Sequence, residues 1–168
     1  MSYAYKVKLE RLTGVIEQAG VWQPSLMHIL SSDEMAGLFR QALIDIGWIE
    51  SAGHLSLEVD GIRCELATKG TEIRAVISEE VYAEQTVIGD TDDSPTLKKA
   101  RLSEGKKRQA DKLEKVKEAE IRKVTERLMS IEANVKAQMD LASHQTHAKA
   151  LEIKAGRLGD IKSSQTQV

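Results

Sequence analysis

Apolar and polar residues alternate along much of the first half of the chain. Residues 3–8 show this period of two, and three further runs within residues 55–77 repeat it. Such alternation places every second side chain on one face of a strand. The dipeptides Asp60-Gly61 and Lys69-Gly70 separate the later runs, and the first is typical of a two-residue hairpin turn. We therefore predict an opening strand and a later three-stranded antiparallel meander, joined in one sheet.

A helical pattern lies between these strands. From Met35 to Ile46, apolar residues recur at steps that form one apolar stripe on a helix. Ser31 and Glu34 have the spacing of a capping box at its start, and Gly47 is placed to end it in a left-handed conformation.

Three segments have less regular patterns. Leu12 to Ala19 predicts one or two helical turns closed by Gly20, although Gly14 weakens that interpretation. Residues 78–88 fit either a further strand or a short helix, and residues 161–168 fit either a short terminal strand or a frayed end.

The second half of the chain predicts one long helix. No proline occurs from Thr96 to about Gly156, and residues of high helix propensity dominate. A continuous helix over this range would be about 90 Å long at roughly 1.5 Å per residue. A break at residues 143–147 would fold it into a helical hairpin, so a straight rod and a hairpin are both open.

The start of this helix is also open. Ser94 and Pro95 suit its N-cap and its first turn. A basic cluster follows at once, however, and positive charge is unfavourable at a helix N-terminus. The ordered helix could therefore begin later, around Gly105.

The predicted fold class is α+β. A small antiparallel sheet with one or two covering helices precedes the long C-terminal α-helix. We predict an acidic α+β domain over residues 1–88, a linker over residues 89–95, and a basic region of long helix or coiled coil over residues 96–168.

Apolar residues on the long helix are sparse and form a narrow seam. Their spacing from Val124 is nearer a repeat of eleven residues than of seven, so a strict left-handed heptad coil is not indicated. A solitary solvated helix is marginal in water, which predicts that the seam packs on another part of the chain, a second copy or a larger protein. The predicted partner-binding seam is Leu113, Val116, Val124, Leu128, Ile131, Val135 and Met139, with Ala142, Ala150 and Ile153 beyond it.

The two halves of the chain carry net charges of opposite sign. Residues 1–95 hold 7 basic and 16 acidic residues, a net charge of −9, whereas residues 96–168 hold 17 basic and 10 acidic residues, a net charge of +7. The two parts could attract each other, stack between copies, or bind separate partners. The densest basic patch is Lys98, Lys99, Arg101, Lys106, Lys107 and Arg108.

Candidate chemistry is scarce. Cys64 falls on the inward face of a predicted strand, which favours a buried inert thiol, and a single cysteine favours a reducing cytoplasm. His144 and His147 could share a helical face, but two ligands are too few for a metal site. Phosphate-loop, nucleophile-elbow and zinc-ligand motifs do not occur. We therefore expect no catalytic residues, cofactor, metal or small-molecule substrate.

The head carries a family resemblance. The opening segment from Met1 to Val7, the segment from Ile29 to Leu38, and Gly47-Trp48 before a strand hairpin resemble small accessory proteins of bacterial conflict systems. Those systems are encoded beside AAA+ ATPases of the MoxR or FtsH-like kind. The resemblance covers about residues 1–90 and implies an adaptor or regulator of the ATPase.

These observations together predict a cytoplasmic, non-catalytic adaptor. Its head and its basic helix would dock on a protein partner, such as an AAA+ ATPase, or on further copies, and no membrane-spanning segment is expected. The alternative is a nucleic-acid-binding module that uses the basic helix. In that case phosphate contacts would dominate, because no aromatic residue follows Tyr82.

Overall fold

The computed structural model describes the backbone of residues 4–166 and the side chains of residues 4–159. The fold is α+β, as predicted, with strands around one short helix and a long helix at the end. The elements in chain order are β1 (Ala4–Lys8), β2 (Leu12–Trp22), α1 (Ser32–Asp45), β3 (Ile49–Ser51), β4 (His54–Val59), β5 (Ile62–Leu66), β6 (Ile73–Ala83), β7 (Thr86–Asp90) and α2 (Pro95–Thr166).

The strands form two sheets instead of the single sheet that the sequence predicts. The larger sheet has the order β2-β6-β5-β4-β3, and the predicted meander forms its antiparallel centre. The opening strand β1 pairs antiparallel with β7, with Val7 opposite Val87. The sequence did not predict this pairing, because residues 78–88 had no clear strand or helix pattern. In the structure β6 continues to Ala83 and β7 begins at Thr86.

The prediction of helical turns from Leu12 to Ala19 is wrong, because these residues belong to β2. Gly14 and Gly20 lower helix propensity in this segment, and β6 offers it a full strand partner. Tertiary pairing therefore overrides a weak local pattern.

The helix α1 has the predicted ends. Ser31 Oγ accepts a hydrogen bond from the backbone N–H of Glu34 at 3.3 Å, which forms the predicted N-cap, and the Ser31 hydroxyl donates to Glu34 Oε1 at 3.1 Å. Gly47 has a φ of 114°, so it takes the left-handed conformation expected after the helix. The hairpin turn between β4 and β5 is also confirmed, with positive φ at Asp60 and Gly61.

The helix α2 begins at Pro95 and continues without interruption to Thr166. Ser94 Oγ accepts from the backbone N–H of Leu97 at 3.1 Å, so the predicted cap is formed and a later start near Gly105 is wrong. Residues 143–147 are helical, which excludes the hairpin break there. The alternative of a terminal strand over residues 161–168 is wrong for residues 161–166, and Gln167 and Val168 lie outside the described residues.

Two compact units divide the chain. The first unit comprises Met1–Gln18 and Ile77–Glu126, and the second comprises Ala19–Val76 and Arg127–Val168. Each unit thus combines strands with a segment of α2. The predicted division at residues 89–95 stays a prediction; residues 91–94 form the connection between β7 and α2.

Each unit has its own buried side chains. In the first unit they come from the ends of β2 and β6, from β7, and from α2 residues such as Leu113 and Val124. In the second unit α1 contributes Phe39 and Leu43, the sheet contributes the inward positions of β4, β5 and β6, and α2 contributes a run from Leu128 to Ala150.

Candidate functional site

The apolar seam predicted on the long helix is a buried stripe. In the first unit, Leu113 is 6% exposed and Val124 is fully buried, whereas Val116 is 38% exposed. In the second unit, the other seam side chains are at most 7% exposed; they are Leu128, Ile131, Val135 and Met139. The side chains of an isolated helix are exposed to solvent, so other residues of each unit must cover this stripe. That the seam binds a partner stays a prediction; six of its seven side chains are buried within the chain itself.

The first unit brings α2 very close to the strands. A Cβ built at Gly105 would overlap Val87 Cγ2 on β7 and would lie 3.6 Å from Leu9 Cδ1. A Cβ built at Gly14 on β2 would lie 2.6 Å from Cε of the flexible Lys117 side chain and in ordinary contact with Leu113 Cδ2, at 3.6 Å. Glycine at position 105 therefore permits the close approach of α2 to β7.

A buried glutamine fixes the position of α2 in the same unit. Gln109 is 5% exposed, and its Nε2 donates to the carbonyl of Glu10 at 2.7 Å and to the carbonyl of Ala83 at 3.0 Å. These carbonyls stand just before β2 and at the end of β6. Both amide hydrogens are satisfied, and any slip of the helix would leave buried polar groups without partners.

The junction before α2 is organised by Asp93, whose side chain is only 5% exposed. Its Oδ2 accepts hydrogen bonds from Tyr5 Oη and from the backbone N–H of Asp90, both at 3.1 Å, and lies 2.9 Å from Arg101 Nε. Loss of hydration raises the pKa of Tyr5, and the hydrogen bond to Asp93 raises it further. This cluster ties β1, the junction and the first turns of α2 together.

The basic cluster, defined as the six residues from Lys98 to Arg108 named above, divides into engaged and free members. Arg101 pairs with Asp93, Arg108 donates to Glu104 at 2.9 Å, and Lys98 lies 5.5 Å from the centre of the Tyr5 ring. Among the residues that the structure describes, the other three members are exposed and form no ion pair. They are Lys99, Lys106 and Lys107.

Polar contacts also hold α2 in the second unit. The backbone N–H of Met27 donates to His147 Nε2 at 3.0 Å, and Arg157 Nη2 donates to Glu34 Oε2 at 2.8 Å. The hydrogen bond from Arg157 lowers the pKa of Glu34, and the one from Ser31 lowers it further. His147 therefore has a structural contact, while His144 is exposed.

Two clefts of about 280 and 440 Å³ flank α1 in the second unit. Both touch Ala36 on the helix and Gly70 in the turn before β6. The smaller cleft is lined by Leu26, Met35 and their neighbours, and the larger one carries the charged groups of Asp33, Arg40 and Lys69. Neither cleft includes a residue of the predicted seam or of the basic cluster.

Cys64 and the potential metal ligands are the remaining candidates for chemistry. Cys64 is fully buried, and burial raises the pKa of its thiol to about 11, which disfavours the reactive thiolate. No group of three or more potential metal-ligating side chains occurs among the described residues. Across the same range, neither helix has a segment long and apolar enough to cross a membrane.

Several residues that organise these contacts were not singled out by the sequence. Gln109 and Thr146 are polar, so a search for apolar positions passes over them although they are 5% and 1% exposed. Gln109 nevertheless lies four residues before Leu113, and Thr146 lies between Ala142 and Ala150 at the same step. The helical period could therefore have indicated that Gln109 and Thr146 are buried. The sequence around Asp93 and Arg157 has no comparable pattern that indicates their contacts.

The architecture defines a class of protein: an α+β protein whose long C-terminal helix packs on its own strands, with an exposed basic cluster at the start of that helix. Within this class the chain belongs to a named family, because the family model of the FtsH ternary system domain X5 matches residues 1–166. The match confirms the resemblance drawn from the head and extends it through the helix. No curated protein and no solved structure matches the chain.

Proposed function

We propose that this chain is a non-catalytic accessory protein of an FtsH-like ternary system, and that it docks on a protein partner such as the AAA+ ATPase of that system. The family match over residues 1–166 is the observation that carries this proposal. It names a component of a multi-protein system, so protein partners are expected.

The exposed lysines of the basic cluster are the docking groups that we propose. Lys99, Lys106 and Lys107 are exposed at the start of α2 and form no ion pair among the described residues. The helix backbone that carries these lysines is already ordered, and their unpaired ammonium groups attract an acidic surface over a distance of about one Debye length, ~10 Å at moderate salt. A partner with an acidic patch is the expected match.

The experiment measures binding of the purified chain to the ATPase encoded in the same system, by biolayer interferometry at several salt concentrations. We expect binding that weakens with salt, and a substantial further loss when Lys99, Lys106 and Lys107 are all changed to glutamine. The matched control changes three exposed lysines elsewhere on α2 to glutamine, namely Lys115, Lys123 and Lys154. Absence of binding at any salt, or an equal loss in the control, would refute the proposal.

Nucleic acid is the second candidate, because the same three lysines could neutralise phosphates. The test is fluorescence anisotropy with labelled duplex and single-stranded DNA across a salt series. If phosphates are bound, the triple glutamine variant should reduce the slope of log affinity against log salt by about two to three, since each neutralised phosphate contributes about one. DNA binding by the native chain without ATPase binding would favour this candidate over the adaptor.

A further inference from the structure

The register of the two-stranded sheet determines which backbone groups lie at its edges. Along antiparallel strands, successive residues direct their N–H and C=O groups alternately toward the partner strand and away from it. Just after β1, the N–H of Leu9 donates to the carbonyl of Gln85 at 2.9 Å, which continues the register of the sheet by one residue. Val7, two residues earlier, therefore also bonds to β7. Lys6 and Lys8 direct their backbone groups to the other side of β1.

The outward edge of β7 is closed by the chain's own groups. The carbonyl of Ile88 accepts from Arg101 Nη1 at 3.4 Å, and the carbonyl of Thr86 accepts from the side chain of the preceding residue at 3.2 Å. At the end of the strand, the N–H of Asp90 donates to Asp93 Oδ2 at 3.1 Å. These groups are the ones that the alternation assigns to the outward side of β7. An added strand could not pair there without breaking these contacts.

The outward edge of β1 is open. Within the described residues, β1 pairs with β7 alone, and the outward backbone groups of Lys6 and Lys8 have no hydrogen-bond partner there. Both lysine side chains are exposed, and neither forms an ion pair in the same part of the chain. The N–H and C=O groups of both residues are thus available to pair with an added strand.

We infer that this edge binds an extended segment of a protein partner in which acidic and apolar residues alternate. Lys6 and Lys8 lie on one face of β1, so acidic side chains at alternate positions of the added strand would lie beside them. On the other face, Val7 is 37% exposed although Val87, opposite it in the sheet, is buried. An apolar side chain between the two acidic ones would cover Val7.

The charge of this edge also decides against a second copy of the chain as the occupant. Pairing of β1 with the β1 strand of another copy would set lysines beside lysines, and like charges on neighbouring strands are destabilising. Lysines on edge strands commonly prevent such self-pairing. Lys6 and Lys8 therefore favour an acidic strand and disfavour a basic one, which makes the edge selective.

Fluorescence anisotropy tests the binding with the full chain and a labelled peptide in which glutamate and valine alternate. The comparison peptides are one in which lysine and valine alternate, and one with the glutamates and valines in separate blocks. We expect only the alternating acidic peptide to bind, and more weakly as salt is added.

Charge reversal at the edge tests the role of the two lysines. Lys6→Glu combined with Lys8→Glu should weaken peptide binding about 10-fold or more, because two attractive cross-strand pairs become repulsive. The matched control combines Lys123→Glu with Lys154→Glu at exposed positions on α2. It should change binding by less than about twofold, since charges more than a Debye length from the peptide are screened.

A proline at the edge tests the backbone hydrogen bonds. Lys8→Pro removes an outward N–H and no bond to β7, and edge strands tolerate proline where the N–H faces solvent. Lys8→Gln removes the same charge and keeps the N–H. We expect Lys8→Pro to weaken peptide binding several-fold more than Lys8→Gln does, and circular dichroism of both variants checks that the fold is kept.

Amide hydrogen exchange measured by NMR locates the added strand without any substitution. In the chain alone, the amide of Val7 should exchange slowly, whereas the amides of Lys6 and Lys8 should exchange quickly. Saturation with the alternating acidic peptide should slow exchange at both lysines and leave Val7 unchanged.

Four results would overturn the inference. They are no binding of the alternating acidic peptide even at low salt, equal weakening by the charge reversal and its control, unchanged exchange at Lys6 and Lys8 in the presence of bound peptide, and protection of these amides that grows with protein concentration without peptide. The last result would place a second copy at this edge. The inference does not rest on the proposed function, because the peptide is measured without ATPase and the variants leave the basic cluster intact.

Discussion

Replacing Gly105 by alanine tests the closeness of the helix and the strands in the first unit. In a helix interior this change normally stabilises, since alanine exceeds glycine in helix propensity by about 1 kcal/mol. Here the new methyl group would overlap Val87 Cγ2, and Val87 is itself buried at 6% exposure, so it has little room to move. Overpacking of this kind costs about 1 to 3 kcal/mol.

The two terms have opposite signs, and the overlap is the larger one. We expect Gly105→Ala to lower the free energy of unfolding by about 1 kcal/mol after the propensity gain is subtracted. The matched control is Gly156→Ala in the same helix, where a built Cβ meets nothing within 4 Å. That control keeps only the propensity gain, so we expect it to raise stability by up to about 1 kcal/mol.

Urea unfolding followed by circular dichroism at the helix band compares the two variants with the native chain. The measured quantities are the midpoints and slopes of the transitions, because a change in midpoint at constant slope reports stability. If Gly105→Ala stabilises the chain as much as Gly156→Ala does, the close approach to Val87 is incorrect. If both variants destabilise, the argument from helix propensity fails instead.

Three further predictions concern polar groups. Gln109→Ala removes two hydrogen bonds to backbone carbonyls, one buried and one partly buried, and should lower the free energy of unfolding by about 2 kcal/mol in urea; Gln145→Ala, at an exposed position, should be nearly neutral. The pKa of Glu34 is lowered in the folded chain, so its contact with Arg157 stabilises the fold at pH values above the ordinary pKa of about 4.5. This stabilisation is lost as the pH falls through the lowered pKa. Arg157→Gln should remove that part of the acid sensitivity, which thermal unfolding between pH 6 and pH 3 measures. Cys64 should react with a thiol reagent at pH 8 only as fast as the fold opens, since burial raises its pKa to about 11; rapid reaction in the absence of denaturant would contradict its placement.

The sequence by itself determined the elements whose information is local. The cap at Ser31, the turn at Asp60-Gly61 and the cap at Ser94 each rest on side chains or backbone conformations within a few residues, so their patterns predicted the structure directly. The buried face of α2 was equally predictable, because apolar residues at helical steps identify one face of a helix independently of the surface that packs on it. The family resemblance was also visible in the head before any geometry.

Tertiary structure decided what these elements pair with. A strand pattern does not specify its neighbour, so the pairing of β1 with β7 and the place of β2 beside β6 came only from the folded chain. The same holds for Gln109 and Asp93, whose partners lie 99 and 88 residues away along the chain, in Glu10 and Tyr5. Periodicity shows which side of a helix is apolar, but only packing decides which surface covers it. In this protein most of the seam is covered within the chain itself, and burial within one chain carries no concentration-dependent cost of binding another molecule.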